Sequence, residues 1–360
     1  VANGLKELLE LMVARSASDL HLKVGRPPVL RIHGQLAATE LDRISPNDLE
    51  DFLFEILSDT DQERLRKMRG IDVAYSVPGV SRFRVNIFFQ RGTLAMVIRT
   101  IPFDIASIAD LRLPAKVKEF ADMNSGLVLL TGPAGSGKST TLAAIIEHIN
   151  HNYHKQIITI EDPIEFLFRD DKCSIVQREV GQDTTTFAEG LRMVFRQDPD
   201  VIVIGEMRDL ETIQTAMSAA ETGHLVLSTL HTLDCAQTID RIVDSFPQAQ
   251  QRQVRIQLSQ VFKGIIAQRL VPSADGKGRV GAIEVMTNSP AVSDLLLEGR
   301  THEIYECIRA SVENFGMQTL EQSLVSLVVY GAITYDAARS VAQRISELDA
   351  ALRALYTDYI

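Results

Sequence analysis

The chain has 360 residues, a formal net charge of −10, 45% hydrophobic residues and 23% charged residues. That length supports two or three domains with cores of their own, and the acidic balance argues against a general nucleic-acid binder. Cys173, Cys235 and Cys307 are too few and too scattered for a disulfide framework or a four-cysteine zinc site, so reduced thiols in a cytoplasmic protein are expected.

No apolar run approaches the roughly 18 residues of a membrane span. The longest candidate, "LVSLVVYGAI", is too short, and the opening "VANGLKELLELM" has no basic n-region or cleavage site. Direct membrane insertion is therefore not expected, and membrane association would come through a partner.

Leu5, Leu8, Leu9 and Met12 recur at helical spacing and predict an amphipathic opening helix. "SDLHLKV" and "PVLRIHGQLAAT" alternate as strands, with His33-Gly34 as a turn. In "SPNDLEDFLFEIL", Ser45 is the N-cap, Pro46 the first helical residue and Asp48 the return partner of a capping box. A second short helix and the strands "IDVAYSV", "SRFRVNIFFQ" and "TLAMVIRT" complete an α+β domain over residues 1–100. A linker follows at 101–113. From Pro114 strands and helices alternate, the signature of a parallel sheet, and residues 114–290 read as one α/β domain. Residues 291–360 read as helical. There Leu324, Leu327, Val328 and Tyr330 form an apolar stripe, expected to be core, and a coupling role is assigned to this region beyond structure.

"GLVLLTGPAGSGKSTT" places a strand before a glycine-rich turn. Gly132, Gly137, Lys138 and Ser139 fit G-x-x-x-x-G-K-[ST], and the following helix buries Leu142, Ile145, Ile146 and Ile149 on one face. The loop Gly132, Pro133, Ala134, Gly135, Ser136, Gly137, Lys138, Ser139 and Thr140 is thus the candidate phosphate site. Glycines let backbone N–H groups converge on phosphate oxygens, and the helix N-terminus adds positive charge. Lys138 would reach the β/γ-phosphates of ATP, and the Ser139 hydroxyl would ligate Mg²⁺.

Three further apolar strands end in polar residues. "IITI" runs into Glu161, Asp162 and Glu165, "VIVIG" into Glu206, and "LVLSTL" into His231 and Thr232. Ligands of open parallel sheets bind at the carboxyl ends of strands. Glu206 is the candidate Walker-B acid, for Mg²⁺ or for the attacking water, with an ion pair to Arg208 as the bland alternative. A straight strand between His224 and His231 would separate them by roughly 20 Å. His231 is then the γ-phosphate sensor, and His224 is structural or inter-subunit.

"GPAGSGKSTTLAAII", "ITIEDPIEF", "QREVGQDTTTF", "RQDPDVIVIGEMRD" and "AETGHLVLSTLHT" resemble the motif series of the PilT-type retraction ATPases of type IV pili, within the secretion ATPase superfamily. "SDLHL" and "SRFRVNIF" resemble that family's N-terminal domain. The resemblance implies a PAS-like N-terminal domain, a RecA-like P-loop ATPase domain and a helical C-terminal region. It implies a homohexameric motor that hydrolyses ATP to retract pili and power twitching, docked on the pilus base platform protein at the cytoplasmic membrane. It makes Glu161 and Glu165 Asp-box residues, Glu206 the Walker-B glutamate, and His224 and His231 the His-box pair. Three scattered cysteines and a short N-terminal region fit retraction better than the extension and type II secretion ATPases. A PilU-like accessory ATPase and an ATP-binding ring scaffold are the alternatives, and a metabolic P-loop kinase would lack the ring.

Arg82 and Arg84 are two apart and project from one face of their strand, with Phe83 and Val85 on the other. Arg99 is expected beside them across a hairpin. This basic face is expected to supply cations to the ATP site of a neighbouring subunit.

Overall fold

A computed structural model of the chain describes residues 4–32 and 34–357; His33, half of the expected His33-Gly34 turn, lies outside the described residues. The chain divides into two compact units. One holds the described residues up to Phe103 together with Glu165–Leu167, and the other holds Asp104–Ile164 and everything from Phe168 on.

The first unit runs α1 (Leu5–Ala14), β1 (Asp19–Lys23), β2 (Val29–Ile32), β3 (Gln35–Ala38), α2 (Pro46–Ile56), α3 (Asp59–Met68), β4 (Gly70–Val77), β5 (Ser81–Gln90) and β6 (Thr93–Ile101). The strands form an antiparallel sheet in the order β3-β2-β1-β6-β5-β4. Its apolar face, with Leu20, Leu22, Phe83, Val85, Ile87 and Ile98, buries against Leu8, Leu9 and Met12 of α1 and Leu49 and Phe52 of α2. The α2 capping box is present: Asp48 N–H donates to Ser45 Oγ at 3.2 Å, and Ser45 N–H donates to the Asp48 carboxylate at 2.7 Å. The polar face carries one row across the sheet. Arg31 pairs in register with Asp19, Asp19 with Arg99, and Arg99 with Arg84.

The second unit opens with α4 (Ala115–Ala121), β7 (Gly126–Thr131), α5 (Lys138–Asn152), β8 (Gln156–Glu161), β9 (Ser174–Glu179), α6 (Phe187–Val194), β10 (Val201–Ile204), α7 (Leu210–Glu221) and β11 (Leu225–Thr229). It continues with α8 (Cys235–Asp244), α9 (Gln248–Val261), β12 (Phe262–Pro272) and β13 (Arg279–Thr287). The sheet order is β13-β12-β7-β11-β10-β8-β9, all parallel except β13, which returns antiparallel to β12.

Both sheet faces are covered, as a mostly parallel sheet requires. Val128, Leu130, Val203 and Leu227 meet Phe120 of α4 and Ile145 and Ile149 of α5. Leu127, Leu129, Ile202 and Val226 meet the opposite helices through Leu191, Met217, Ile239 and Leu258.

The chain ends with α10 (Pro290–Glu298), α11 (Ile304–Ala310), α12 (Val312–Phe315), α13 (Leu320–Val329), α14 (Tyr335–Val341) and α15 (Ile345–Thr357). Val292, Leu296, Ile304 and Ile308 belong to the same core as the sheet. Leu320 and Leu324 form a smaller cluster with Val271, Ala282, Leu348 and Leu352. Tyr330 departs from the expected core stripe, because α13 ends at Val329; its side chain leaves the helix face, and the residue is 85% exposed. No helix among the described residues is long and apolar enough to cross a membrane.

Candidate nucleotide site

β7 and α5 are joined by the loop from Gly132 to Gly137, and its glycines are needed for conformation and space. Gly132, Gly135 and Gly137 have φ of 142°, 74° and 89°, in the region that disfavours side chains. A Cβ at Gly132 would also lie 2.6 Å from Ser136 Oγ, and one at Gly137 would lie 2.7 Å from Gln268 Nε2. The loop therefore presses directly on β12. Gln268, 5% exposed, accepts a hydrogen bond from Thr141 Oγ1 at 2.8 Å and braces the first turn of α5. The Ser136 hydroxyl is buried inside the loop with no hydrogen-bond partner among the described residues.

Lys138 is 8% exposed, and its Nζ donates to the carbonyls of Gly132 at 2.8 Å and Pro133 at 3.0 Å. The same Nζ is 3.4 Å from His231 Nδ1. On the other side of that ring, His231 Nε2 is 3.3 Å from the Glu206 carboxylate. Sheet order explains the contact, since β11, which leads into His231, lies between β7 and β10. Adjacent strands are about 4.8 Å apart. An imidazole on the middle strand can therefore bridge a lysine and a carboxylate delivered by its two neighbours.

Glu206 is 8% exposed and pairs with Arg208 at 2.5 Å. The ion pair expected as the bland reading is thus present, and the carboxylate still faces His231. Glu161 ends β8, one strand further, and accepts from Thr159 Oγ1 at 2.6 Å and Gln177 Nε2 at 3.1 Å. Glu165 is exposed and belongs to the first unit. Ser139 and Thr140 are half-buried in the first turn of α5.

His224 precedes β11 and sits at the opposite end of that strand from His231. Its Nδ1 is 2.9 Å from the Ala219 carbonyl and 3.1 Å from Thr222 Oγ1, and its ring meets Phe195 edge-on at 5.8 Å between centroids. These contacts tie the end of α7 to the start of β11.

Sequence reasoning missed a hydroxyl chain beneath the site. Thr131, closing β7, lies 2.7 Å from the Thr232 hydroxyl, which lies 2.6 Å from Thr238 on α8. It also missed Gln268, although a lone amide in the apolar run "GIIAQRLV" is a signal of buried polar work.

Arg82, Arg84 and Arg99 stand in the first unit. Arg99 Nε donates to Asp19 at 2.8 Å, and Asp19 is 4% exposed. Burial pushes the Asp19 carboxyl up, but hydrogen bonds from Ser18 and Arg99 outweigh it and hold the group below the ordinary carboxylate range.

A glycine-cradled helix start with lysine, histidine and glutamate converging at the carboxyl edge of a parallel sheet defines a nucleotide-site class. The chain belongs to the family described as "Type II/IV secretion system protein", which matches residues 3–339. It is 43% identical over 339 residues to the Pseudomonas aeruginosa protein described as "Type IV pilus retractation ATPase PilT", covering 94% of this chain and 98% of that one. It is 40% identical over 343 residues to the "Type IV pilus ATPase PilU" of the same organism, covering 95% and 90%. A crystal structure of the pilus retraction motor PilT with bound ADP superimposes with a TM-score of 0.88 at 43% identity, covering 97% and 99% of the two chains. The resemblance carried by the motifs therefore extends over nearly the whole chain.

Proposed function

We propose that this chain is a Mg²⁺-dependent ATPase motor that retracts type IV pili. The observation that carries the reading is the row Lys138, His231 and Glu206, closed by contacts of 3.4 and 3.3 Å beside the glycine loop. The near-full-length identity of 43% to a retraction ATPase gives the row its task.

Lys138 would move from the loop carbonyls to the β/γ-phosphates. His231 would sense the γ-phosphate, and Glu206 would orient the attacking water. The residues suit Mg²⁺, because the Ser139 hydroxyl and the Glu206 carboxylate are the hard oxygen donors it prefers, and the buried Ser136 hydroxyl leaves an unmet polar group inside the cradle. A Mg²⁺ held by Ser139 and Glu206 would supply charge neutralisation for the leaving phosphate oxygens. Glu161, held by Thr159 and Gln177, is the second acid, and Glu165 is assigned to the Asp box by the motif resemblance alone.

The first unit is read as PAS-like and the second as RecA-like, assembled as a homohexamer. Arg82, Arg84 and Arg99 are proposed to act on the site of a neighbouring subunit, with His224 at a subunit contact. The ring would dock on the platform protein of the pilus base, at the cytoplasmic face of the membrane.

Purified protein tests the site. Lys138→Ala is expected to lose nucleotide binding or turnover with its circular dichroism unchanged. Glu206→Gln should keep ATP binding and slow hydrolysis by about 10²-fold or more. Near-normal turnover in both variants would overturn the reading.

A further inference from the structure

A cavity of about 820 Å³ opens beside the start of α5. At one end it is lined by Gly137, Thr140 and Thr141, the residues that follow the phosphate loop. Its walls include Leu270 and Val280, and Tyr330 stands on its lining. This is the same Tyr330 that sequence periodicity placed in the core. It is 85% exposed, so its ring is accessible to a molecule entering the cavity.

From this geometry we infer that Tyr330 is a further nucleotide-binding residue, the stacking wall for the base of the bound nucleotide. The inference rests on the ATPase reading and extends it from the phosphates to the base. A triphosphate seated on the loop can place its nucleoside along this cavity, because the lining includes Gly137, Thr140 and Thr141 at the helix start. The volume fits a nucleoside, since small-molecule sites run from about 300 to 1,000 Å³. The lining mixes Leu270 and Val280 with polar and charged side chains such as Gln268, Asp275 and Arg279; a base entering it offers a π-face, and an exposed aromatic ring is the side chain that uses it. Tyr330 also follows the last turn of α13, so a base stacked on it touches the C-terminal helices directly.

The test compares two ligands on two variants. MgATP and inorganic tripolyphosphate share the phosphate end and differ in the nucleoside. Equilibrium binding to wild type, Tyr330→Ala and Tyr330→Phe is measured by calorimetry on the full chain. Tyr330→Ala should weaken ATP about tenfold, or about 1.4 kcal/mol, and leave tripolyphosphate unchanged. Tyr330→Phe should restore ATP affinity to within about twofold, because the ring is what stacks. The high exposure of the side chain keeps the fold out of the result. Unchanged ATP affinity in Tyr330→Ala would overturn the inference, as would an equal loss for both ligands. Wild-type protein that binds neither ligand would instead overturn the ATPase reading, and the base wall with it.

Discussion

At the level of single residues, Glu284 stands out as a buried carboxyl away from the nucleotide site. It sits on β13, 4% exposed, and accepts the Cys235 N–H at 2.8 Å at the start of α8. Burial pushes its carboxyl up to about 7; the Cys235 hydrogen bonds oppose this, and the charges of Asp234 and Glu321 add to it. The folded-state value lies above the unfolded one, so the folded protein binds more protons between them. Stability is therefore lost as pH rises from about 4.5 through about 7. The full penalty above that window is on the order of 3 kcal/mol. Glu284→Gln keeps an acceptor for Cys235 and removes the titration. It is expected to raise the melting temperature at pH 8 and leave it nearly unchanged at pH 4.5. An equal shift at both pH values would show that the effect is packing. No sequence signal marked Glu284, whose burial depends on β13 being covered by α8 and α13. Lys138, Ser139, Glu206 and His231 are candidates because local spacing and strand ends name them. The His231 bridge required the strand order.

Among the elements, those with strong local chemistry were readable. The Ser45/Asp48 box and the runs "IITI", "VIVI" and "LVLST" correspond to α2, β8, β10 and β11. Less visible were β9, β12 and β13. β9 alternates only weakly at the sheet edge, and β12 follows α9 with no turn residue between them. The pattern over 335–355 reads as one helix but is two, α14 and α15, separated at residues 342–344 where Gln343 and Arg344 N–H groups donate to buried Glu321 at 3.0 and 2.9 Å. A tertiary carboxylate captures those amides, which local periodicity cannot reveal. The expectation that the C-terminal helices contribute core holds beyond the stripe, through α10 and α11. Removing residues from about 291 onward takes Val292, Leu296, Ile304 and Ile308 out of the main core. Losses of several large buried side chains cost a few kcal/mol each. The truncated protein is expected to be insoluble. Soluble truncated protein that turns over ATP but does not retract pili would instead support the coupling role.

At the scale of the whole molecule, the proposed homohexamer gives the basic row of the first unit a role. The row Arg31, Asp19, Arg99 and Arg84 lies across the polar face of the first unit's sheet, and Asp19 fixes Arg99 through Nε at 2.8 Å. A guanidinium held that way keeps its terminal amines for another acceptor. A neighbouring subunit's phosphate is the acceptor proposed, and an arginine supplied in trans can be worth roughly 10³–10⁵-fold in rate. Arg84→Ala rings should then bind ATP and hydrolyse it poorly. Mixing them with Glu206→Gln protein under subunit exchange should recover part of the activity, measured as phosphate release. No recovery in verified mixed rings would place the arginines in service of their own subunit.

The central claim is that ATP hydrolysis at the Lys138–His231–Glu206 site drives pilus retraction. Its most direct test is time-lapse imaging of labelled pili in the source organism, with the native copy replaced by Glu206→Gln. The account predicts pili that extend at the normal rate and fail to retract, accumulating on the surface. Retraction at an unchanged rate and frequency in those cells would contradict it.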